Sequence, residues 1–510
     1  MKNKLLGALA FFITLMGHAQ SSKITDISSF KPRSLSAIKD KNNTVNGYYL
    51  FYMVDKLKKG QREYMIQVLD QNLVEVARKT HIDDKNTYLL EGAFNEQSMM
   101  FALVNPVDKY ATLLTYDKQA NQTATHKIEF SKKEVDYLVY FKNNDMYPLL
   151  YPVEGRGFIY NKLEDNKKIG YTLKYYPTDG GKAWEYGSPE KSKDFKSVTP
   201  IEVNSKVVIA REDSRPNRLS TNITTTIKAI GVEDGKLLFE RSYSKAKQPR
   251  LITNAFLASD NSVVLMGEYF KTGDNPIKDK SLGLFSEVID LSGNTIKESF
   301  SSWEVDVAKL MKVNGSKVLD KGYIYFHDVI HTKSGEYYAI GEYYRKTANA
   351  GGIALAVLTR SAASNSMTQL TITNSVLFKF DKDFQLKSIQ EFEKGKSRAP
   401  TATDYGSPQL NAAFMAQLGA FDYQYTQIDP VNDRFYACFI DVDREKGEGN
   451  KPYFKTIIYD EGEISEDKIP LKSNKKNFRV YPAKLGHVMW LEYNKKEKVL
   501  DLHLEKINIK

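Results

Sequence analysis

A short hairpin recurs seven times along this chain, each time as a β-rich run that closes on an aspartate, turns and starts a second run. The turn aspartates are Asp70, Asp117, Asp179, Asp234, Asp290, Asp381 and Asp460, as in Glu287-Val-Ile-Asp290-Leu-Ser-Gly-Asn294 and Ile457-Ile-Tyr-Asp460-Glu-Gly-Glu-Ile464. Aspartate suits this corner because its carboxylate accepts a bond from the backbone N–H two residues on and closes an Asx-turn. Glycine often follows, since tight hairpin turns need positive φ. The flanking runs are rich in Val, Ile, Tyr, Phe and Leu with partial alternation, the strand signal. A chain built this way repeats one small antiparallel unit, and such units stack or close into rings.

A second hairpin precedes these corners. Asn254–Tyr269 aligns with His327–Tyr343, and Val480–Tyr493 follows the same scheme. With the first pair of strands named A and B and the Asp-turn pair C and D, each unit is a four-stranded meander of the size of a β-propeller blade. The turn aspartates are 47, 62, 55, 56, 91 and 79 residues apart, so insertions lengthen several units beyond the compact repeats of ~40–50 residues. The C-terminal stretch Phe478–Ile509 supplies strands A to C without an Asp turn, and the N-terminal stretch Lys23–Phe30 is expected to supply the missing D strand. Closure by both termini would remove exposed sheet edges. The expected fold is therefore all-β, a single propeller over residues 20–510 with eight blades, seven being the runner-up. Separate β units in two domains are the other alternative.

The third corner, Thr178-Asp179-Gly180-Gly181-Lys182-Ala183-Trp184, resembles an Asp-box, the Ser-x-Asp-x-Gly-x-Thr-Trp hairpin of propellers in sialidases and sortilin-type receptors. Pro177 stands in place of the Ser and Ala183 in place of the Thr. The resemblance covers eight residues and implies a structural hairpin at a C–D turn. Phe478-Arg-Val-Tyr-Pro482 is superficially similar to the Phe-Arg-Ile-Pro stretch of sialidases, but it lies at the wrong end of the chain and carries an extra residue. No sialidase chemistry is transferred. In general style the chain resembles poorly characterised exported bacterial propeller proteins.

Residues 1–19 read as a signal peptide: Lys2 and Lys4, an apolar run Leu5–Met16, and small residues Gly17 and Ala19 ahead of a cleavage site after Ala19. Twelve helical residues span about 18 Å, too little for a ~30 Å bilayer core. The expected location is periplasmic or extracellular, with no later membrane span. Cys438 is the single cysteine, which leaves no intramolecular disulfide and no cysteine-built metal cluster. The formal charge of +10 falls to +8 once Lys2 and Lys4 are removed, and the lysines are scattered. Nucleic-acid binding would want a concentrated basic stripe, so it is not expected.

In a propeller the A–B and C–D turns share one face, and the B–C and D–A connections share the other. The A–B turns are short here (Ser259–Asn261, Lys333–Gly335, Val431–Asp433, Leu485–Gly486), whereas the long segments fall on the opposite side. They are the B–C connections Arg211–Thr221, Lys271–Ser281, Thr347–Thr373 and Asp443–Pro452, and the D–A connections Ser131–Tyr147, Ser301–Gly322 and Gly395–Ala420. Long loops in a compact domain tend to carry function. Three D–A connections show helical spacing: a capping box at Ser131–Glu134, then Trp303–Val313 and Gln409–Leu418. Thr347–Thr373 reads as a flap or an extra hairpin. Arg211, Arg215, Trp303, Arg345, Tyr405 and Arg444 are the candidate ligand-binding residues because the register puts them on this face.

His327 and His331 are expected to share one face of a strand, with Asp328 pointing the other way, and no metal site is expected from them. The other histidines after the leader, His81, His126, His487 and His503, accompany no motif. Glu268, Glu342 and Glu492 recur at the end of strand B, and recurrence argues for a structural role. No catalytic residue and no cofactor is assigned. The leading expectation is a non-enzymatic binding or scaffold module that recognises a protein or glycan at the cell envelope. The alternative is a glycan-active hydrolase or lyase on the same scaffold.

Overall fold

The computed structural model describes residues 20–507, apart from 32–33, 41–42, 144–147, 167, 190–191, 218–219, 221, 244–247, 259, 277, 314, 316–317, 352–365, 402–403, 405–406, 446–448 and 472–477. Residues 1–19, the segment read as a leader, lie outside the described residues.

Eight antiparallel sheets follow one another around a ring. Their inner A strands are Leu35–Lys39, Tyr88–Phe94, Leu150–Val153, Phe195–Val203, Arg250–Leu257, Tyr323–His331, Tyr423–Asp429 and Phe478–Pro482, in blades 1 to 8. Seven blades run A to D in chain order. Blade 8 takes its outer strand from the other end of the chain: Gln20–Ile24 pairs antiparallel with Val499–Lys506, Gln20 opposite Leu504 and Ile24 opposite Leu500. The protein is thus an eight-bladed β-propeller. The closing strand sits three residues earlier than Lys23–Phe30 at its start and ends at Ile24. Beyond it Ile27 turns into the core at 0% exposure, and its N–H donates to the Lys498 carbonyl (3.0 Å).

Each blade buries both faces, because a neighbour covers each. The apolar clusters follow that rule, with one between every pair of adjacent blades. Between blades 1 and 2, for example, the Phe51 and Phe101 rings lie 4.9 Å apart. Burying one such side chain stabilises the fold by roughly 1.5–3 kcal/mol. Two covered faces also explain the sequence pattern. Strand B reads as a continuous apolar run at Met99–Val104, Val207–Ala210 and Val263–Met266, where a half-solvated strand would alternate.

All seven turn aspartates stand at C–D corners. In six of them Oδ1 accepts the backbone N–H two residues on: Asn72 (2.8 Å), Gln119 (2.9 Å), Gly181 (2.9 Å), Lys236 (3.1 Å), Ser292 (2.9 Å) and Asp383 (2.9 Å). Asp460 differs. Its hairpin is a two-residue turn with positive φ at Glu461 and Gly462, and its carboxylate instead receives Arg434 at 2.6 Å. At the third corner Trp184 stacks on Tyr175 (5.3 Å between ring centroids) and donates its indole N–H to the Val232 carbonyl of blade 4 (2.7 Å).

The three helical D–A connections are present. Ser131 and Glu134 close the capping box on helix Lys132–Asn143, with Ser131 N donating to Glu134 Oε2 (2.6 Å) and Glu134 N to Ser131 Oγ (3.2 Å). A wide helical turn, Trp303–Val307, runs into Ala308–Met311, and a third helix spans Pro408–Gln417 with Ser407 as its cap. That helix packs Ala412 and Met415 with Phe421 against Tyr344, Leu370 and Ile372 of blade 6. Among the described residues no helix is long and apolar enough to cross a membrane.

Candidate functional site

Two of the expected long B–C connections, Thr347–Thr373 and Asp443–Pro452, begin and end in strand, while residues 352–365 and 446–448 within them lie outside the described residues. Strands B and C of blade 7 extend to Glu445 and from Gly449, so Asp443–Pro452 is mostly a ladder. In blade 6, strand B (Tyr337–Ala348) and strand C (Thr368–Phe380) continue past the body of the blade as a paired extension, Tyr344–Ala348 against Thr368–Ile372. The outer strand Leu386–Phe392 pairs only with Ser375–Phe380. The chain then rises and adds a fifth strand, Ser397–Pro400, to Gln369–Ile372. The extension thereby becomes a three-stranded platform above the blade, on the side of the ring that carries the B–C and D–A connections.

A groove of about 750 Å³ opens along one face of this platform. Lys321, Arg345, Lys396 and Arg398 line it, together with Thr347, Gln369, Thr371, Thr373 and Asn374. Glu391 is its one carboxylate, and it is taken: it receives Lys321 Nζ at 2.6 Å and the Tyr343 hydroxyl at 3.1 Å. The register explains why the cations converge. Arg345 is paired with Thr371 and Thr371 with Arg398, so the three side chains stand in one row across adjacent strands. Thr347 and Thr371 hydroxyls lie 2.9 Å apart beneath them. Arg345 and Arg398 are exposed, and among the described residues neither they nor Lys396 contact a carboxylate.

The other sequence candidates are dispersed. Arg211 lies on strand B of blade 4 and pairs with Asp213 (3.2 Å), while Arg215 is exposed at the end of that strand. Trp303 is no surface aromatic: at 4% exposure it packs between blades 5 and 6 and donates to Ser281 Oγ (3.0 Å). The amphipathic spacing that suggested a helix also carries this ring inward. Tyr405 lies outside the described residues, as does the side chain of Arg444. Lys321, Lys396 and Arg398 were missed. Period-two alternation of the two cations in Lys396-Ser397-Arg398 is a strand signal, hidden inside a stretch read as loop.

The histidine pair is split by a bulge. The register of strands A and B in blade 6 shifts between Phe326 and Asp328, so His327 and His331 face opposite neighbours. His331 stacks on Tyr337 (4.6 Å) towards blade 5, and His327 stacks on Tyr423 of blade 7 (4.6 Å, 9° between planes). Asp328 turns to the same side as His327, accepting the Tyr423 hydroxyl (3.3 Å). His327 Nε2 meets Glu342 Oε2 at 3.0 Å, Lys394 Nζ meets Glu342 Oε1 at 3.0 Å and also pairs with Asp422, and Tyr423 N donates to Glu342 (3.0 Å). Burial alone would raise the Glu342 carboxyl, but the Lys394 ammonium and His327 override it and hold it below the ordinary range. Glu342 is therefore a strut between blades. Glu91 plays the same part between blades 2 and 3, accepting Leu149 N (2.6 Å) and Leu150 N (3.0 Å).

Glu268 is buried and its carboxyl is pushed up to about 7 by loss of water. Inner strands also bring Lys39, Glu202 and Asp328 of blades 1, 4 and 6 into one electrostatic neighbourhood. Burial pushes Glu202 up to about 7, with Asp328 and Glu154 adding to the rise, and burial lowers Lys39 against the pull of Asp328. Among the described residues no three His, Cys, Asp or Glu side chains assemble as a metal-binding group.

Similarity to known proteins is confined to architecture. Prolyl oligopeptidase B from Galerina marginata shares 9% identity over 91% of this chain with a TM-score of 0.41, and the chain spans 55% of that protein's length. The WD40 domain of SCAP from fission yeast shares 8% identity over 95% of this chain and 97% of its own (TM-score 0.36). The β-propeller domain of the trilobed protease from Pyrococcus furiosus shares 13% identity over 73% and 99% (TM-score 0.32). No curated protein matches in sequence. A family model matches residues 1–508, nearly the whole length, and the chain belongs to that family, DUF6770, a family of unknown function.

Proposed function

We propose that this protein is an exported binding module that acts at the cell envelope without chemistry of its own, recognising a glycan or protein through the face bearing its B–C and D–A connections. The groove on the blade 6 platform carries this reading. It is concave and within the ~300–1,000 Å³ of ligand sites, and its walls are hydrogen-bonded strands able to hold side chains in place before a ligand arrives. Export rests on the leader-like residues 1–19 and places the mature N-terminus at Gln20, the first residue of the closing strand. The partial Asp-box at Asp179–Trp184 is in keeping with a structural corner on the opposite face.

Cell fractionation with N-terminal sequencing tests the address. Mature chain beginning at Gln20 outside the cytoplasm is expected, and an uncleaved cytoplasmic chain would overturn it. Incubation of the purified protein with a panel of envelope glycans and with envelope protein fractions tests binding. Retention of a defined component is expected, and retention of none across the panel would overturn the reading.

A further inference from the structure

We infer that the blade 6 groove is a site for an acidic oligosaccharide, its carboxylate or sulfate groups held between Arg345 and Arg398. This rests on the binding-module reading and adds the ligand class.

Strands in a sheet stand ~4.8 Å apart, so residues two strands apart in one row lie roughly 10 Å apart. Arg345 and Arg398 hold those positions, with the short side chain of Thr371 between them. Two guanidinium groups thus flank a low floor, with Lys396 beside Arg398 on the same lining. Like charges along one row repel, and Glu391 cannot relieve them because Lys321 and Tyr343 already hold it. A bound anion would relieve that repulsion. Guanidinium binds planar or tetrahedral oxyanions through paired N–H groups, so the row sets geometry as well as charge.

The floor favours a sugar over an acidic peptide. Thr347, Thr371, Thr373 and Asn374 offer hydroxyl and amide groups, and Ala348 is the one aliphatic residue of the lining. Protein hot spots combine Arg with Trp and Tyr anchors, and here Tyr343, the one aromatic residue of the lining, is buried and gives its hydroxyl to Glu391.

Titration calorimetry of the purified chain against trigalacturonate, a chondroitin sulfate hexasaccharide, neutral chitotriose and hexaglutamate tests this. One-to-one binding of at least one acidic sugar is expected, at least tenfold tighter than chitotriose or hexaglutamate. Arg345→Ala with Arg398→Ala should weaken it 30-fold or more with an unchanged melting curve. The double Lys variant, which keeps the charge and loses the fork, should weaken it about fivefold. Hexaglutamate bound as tightly as the sugars would overturn the ligand class. A sugar from the envelope panel held equally by wild type and the Ala pair would overturn the groove while leaving the binding module standing; a panel held by neither removes both.

Discussion

Lys394 Nζ lies 3.0 Å from Glu342 Oε1, and neither side chain is exposed to solvent at all. The pair sits where the chain leaves the outer strand of blade 6 and climbs to its fifth strand, so one ion pair ties the platform to the blade 6–7 interface. Asp422 and His327 complete the set. Within it, burial lowers the Lys394 ammonium and the two carboxylates more than reverse this, keeping it charged.

Removing the cation should therefore be costly. Lys394→Met leaves the buried Glu342 and the half-buried Asp422 without this cation, and a broken buried pair costs about 3–5 kcal/mol. Equilibrium denaturation should show a loss of that size, and Lys394→Met with Glu342→Gln should recover part of it. A single variant as stable as wild type would contradict the assignment.

Glu268 makes stability depend on pH in the less familiar direction. Its folded pKa, about 7, lies above the ordinary glutamate value of 4.5, so the folded state binds the proton more tightly than the unfolded chain. The contribution is fully present below pH 4.5 and is lost as pH rises towards 7, on the order of 3 kcal/mol across that window. Glu268→Gln should flatten this slope in melting curves taken from pH 4.5 to 8 and be more stable than wild type at pH 8. Glu202, raised to about 7 as well, should leave a residual slope of the same sign.

The ring is closed by few residues. Ile27 is fully buried behind the closing strand among Ile24, Leu500 and Leu502. Ile27→Ala should cost roughly 2–5 kcal/mol, as large-to-small core changes do. Deleting residues 20–27 should also bare the edge of Val499–Lys506 and promote self-association, visible by light scattering.

The corners should each contribute modestly. Asp117 Oδ1 accepts Gln119 N and Asn121 N (2.9 and 2.8 Å), and Asp117→Ala should cost about 1 kcal/mol in chemical denaturation. Asp117→Asn keeps the Oδ1 acceptor and should lose less.

Cys438 is fully buried and burial raises its thiol well above the ordinary range. The thiolate is the reactive form, so a disulfide reagent should leave the native protein unmodified and react with one equivalent on unfolding.

The corners, the order of strands and the number of blades were legible because they are local. An aspartate two residues from the N–H it captures, and a β-rich run on either side, are written in consecutive letters. Closure by the N-terminal strand followed from counting which unit lacked a D strand. The outward direction of the long connections followed from that register.

Amino-acid order by itself therefore determined the repeating unit, its corners and the side of the ring where chain is added. Tertiary structure alone decided which side chains meet. Trp303 was drawn inward because two blades offered it a dry slot. A one-residue bulge at His327, invisible in the pattern, turned one histidine away from the other. Arg345 and Arg398 are separated by 53 positions and share a row only because both their strands pair with Thr371, a register set by hydrogen bonds between strands that no local pattern encodes.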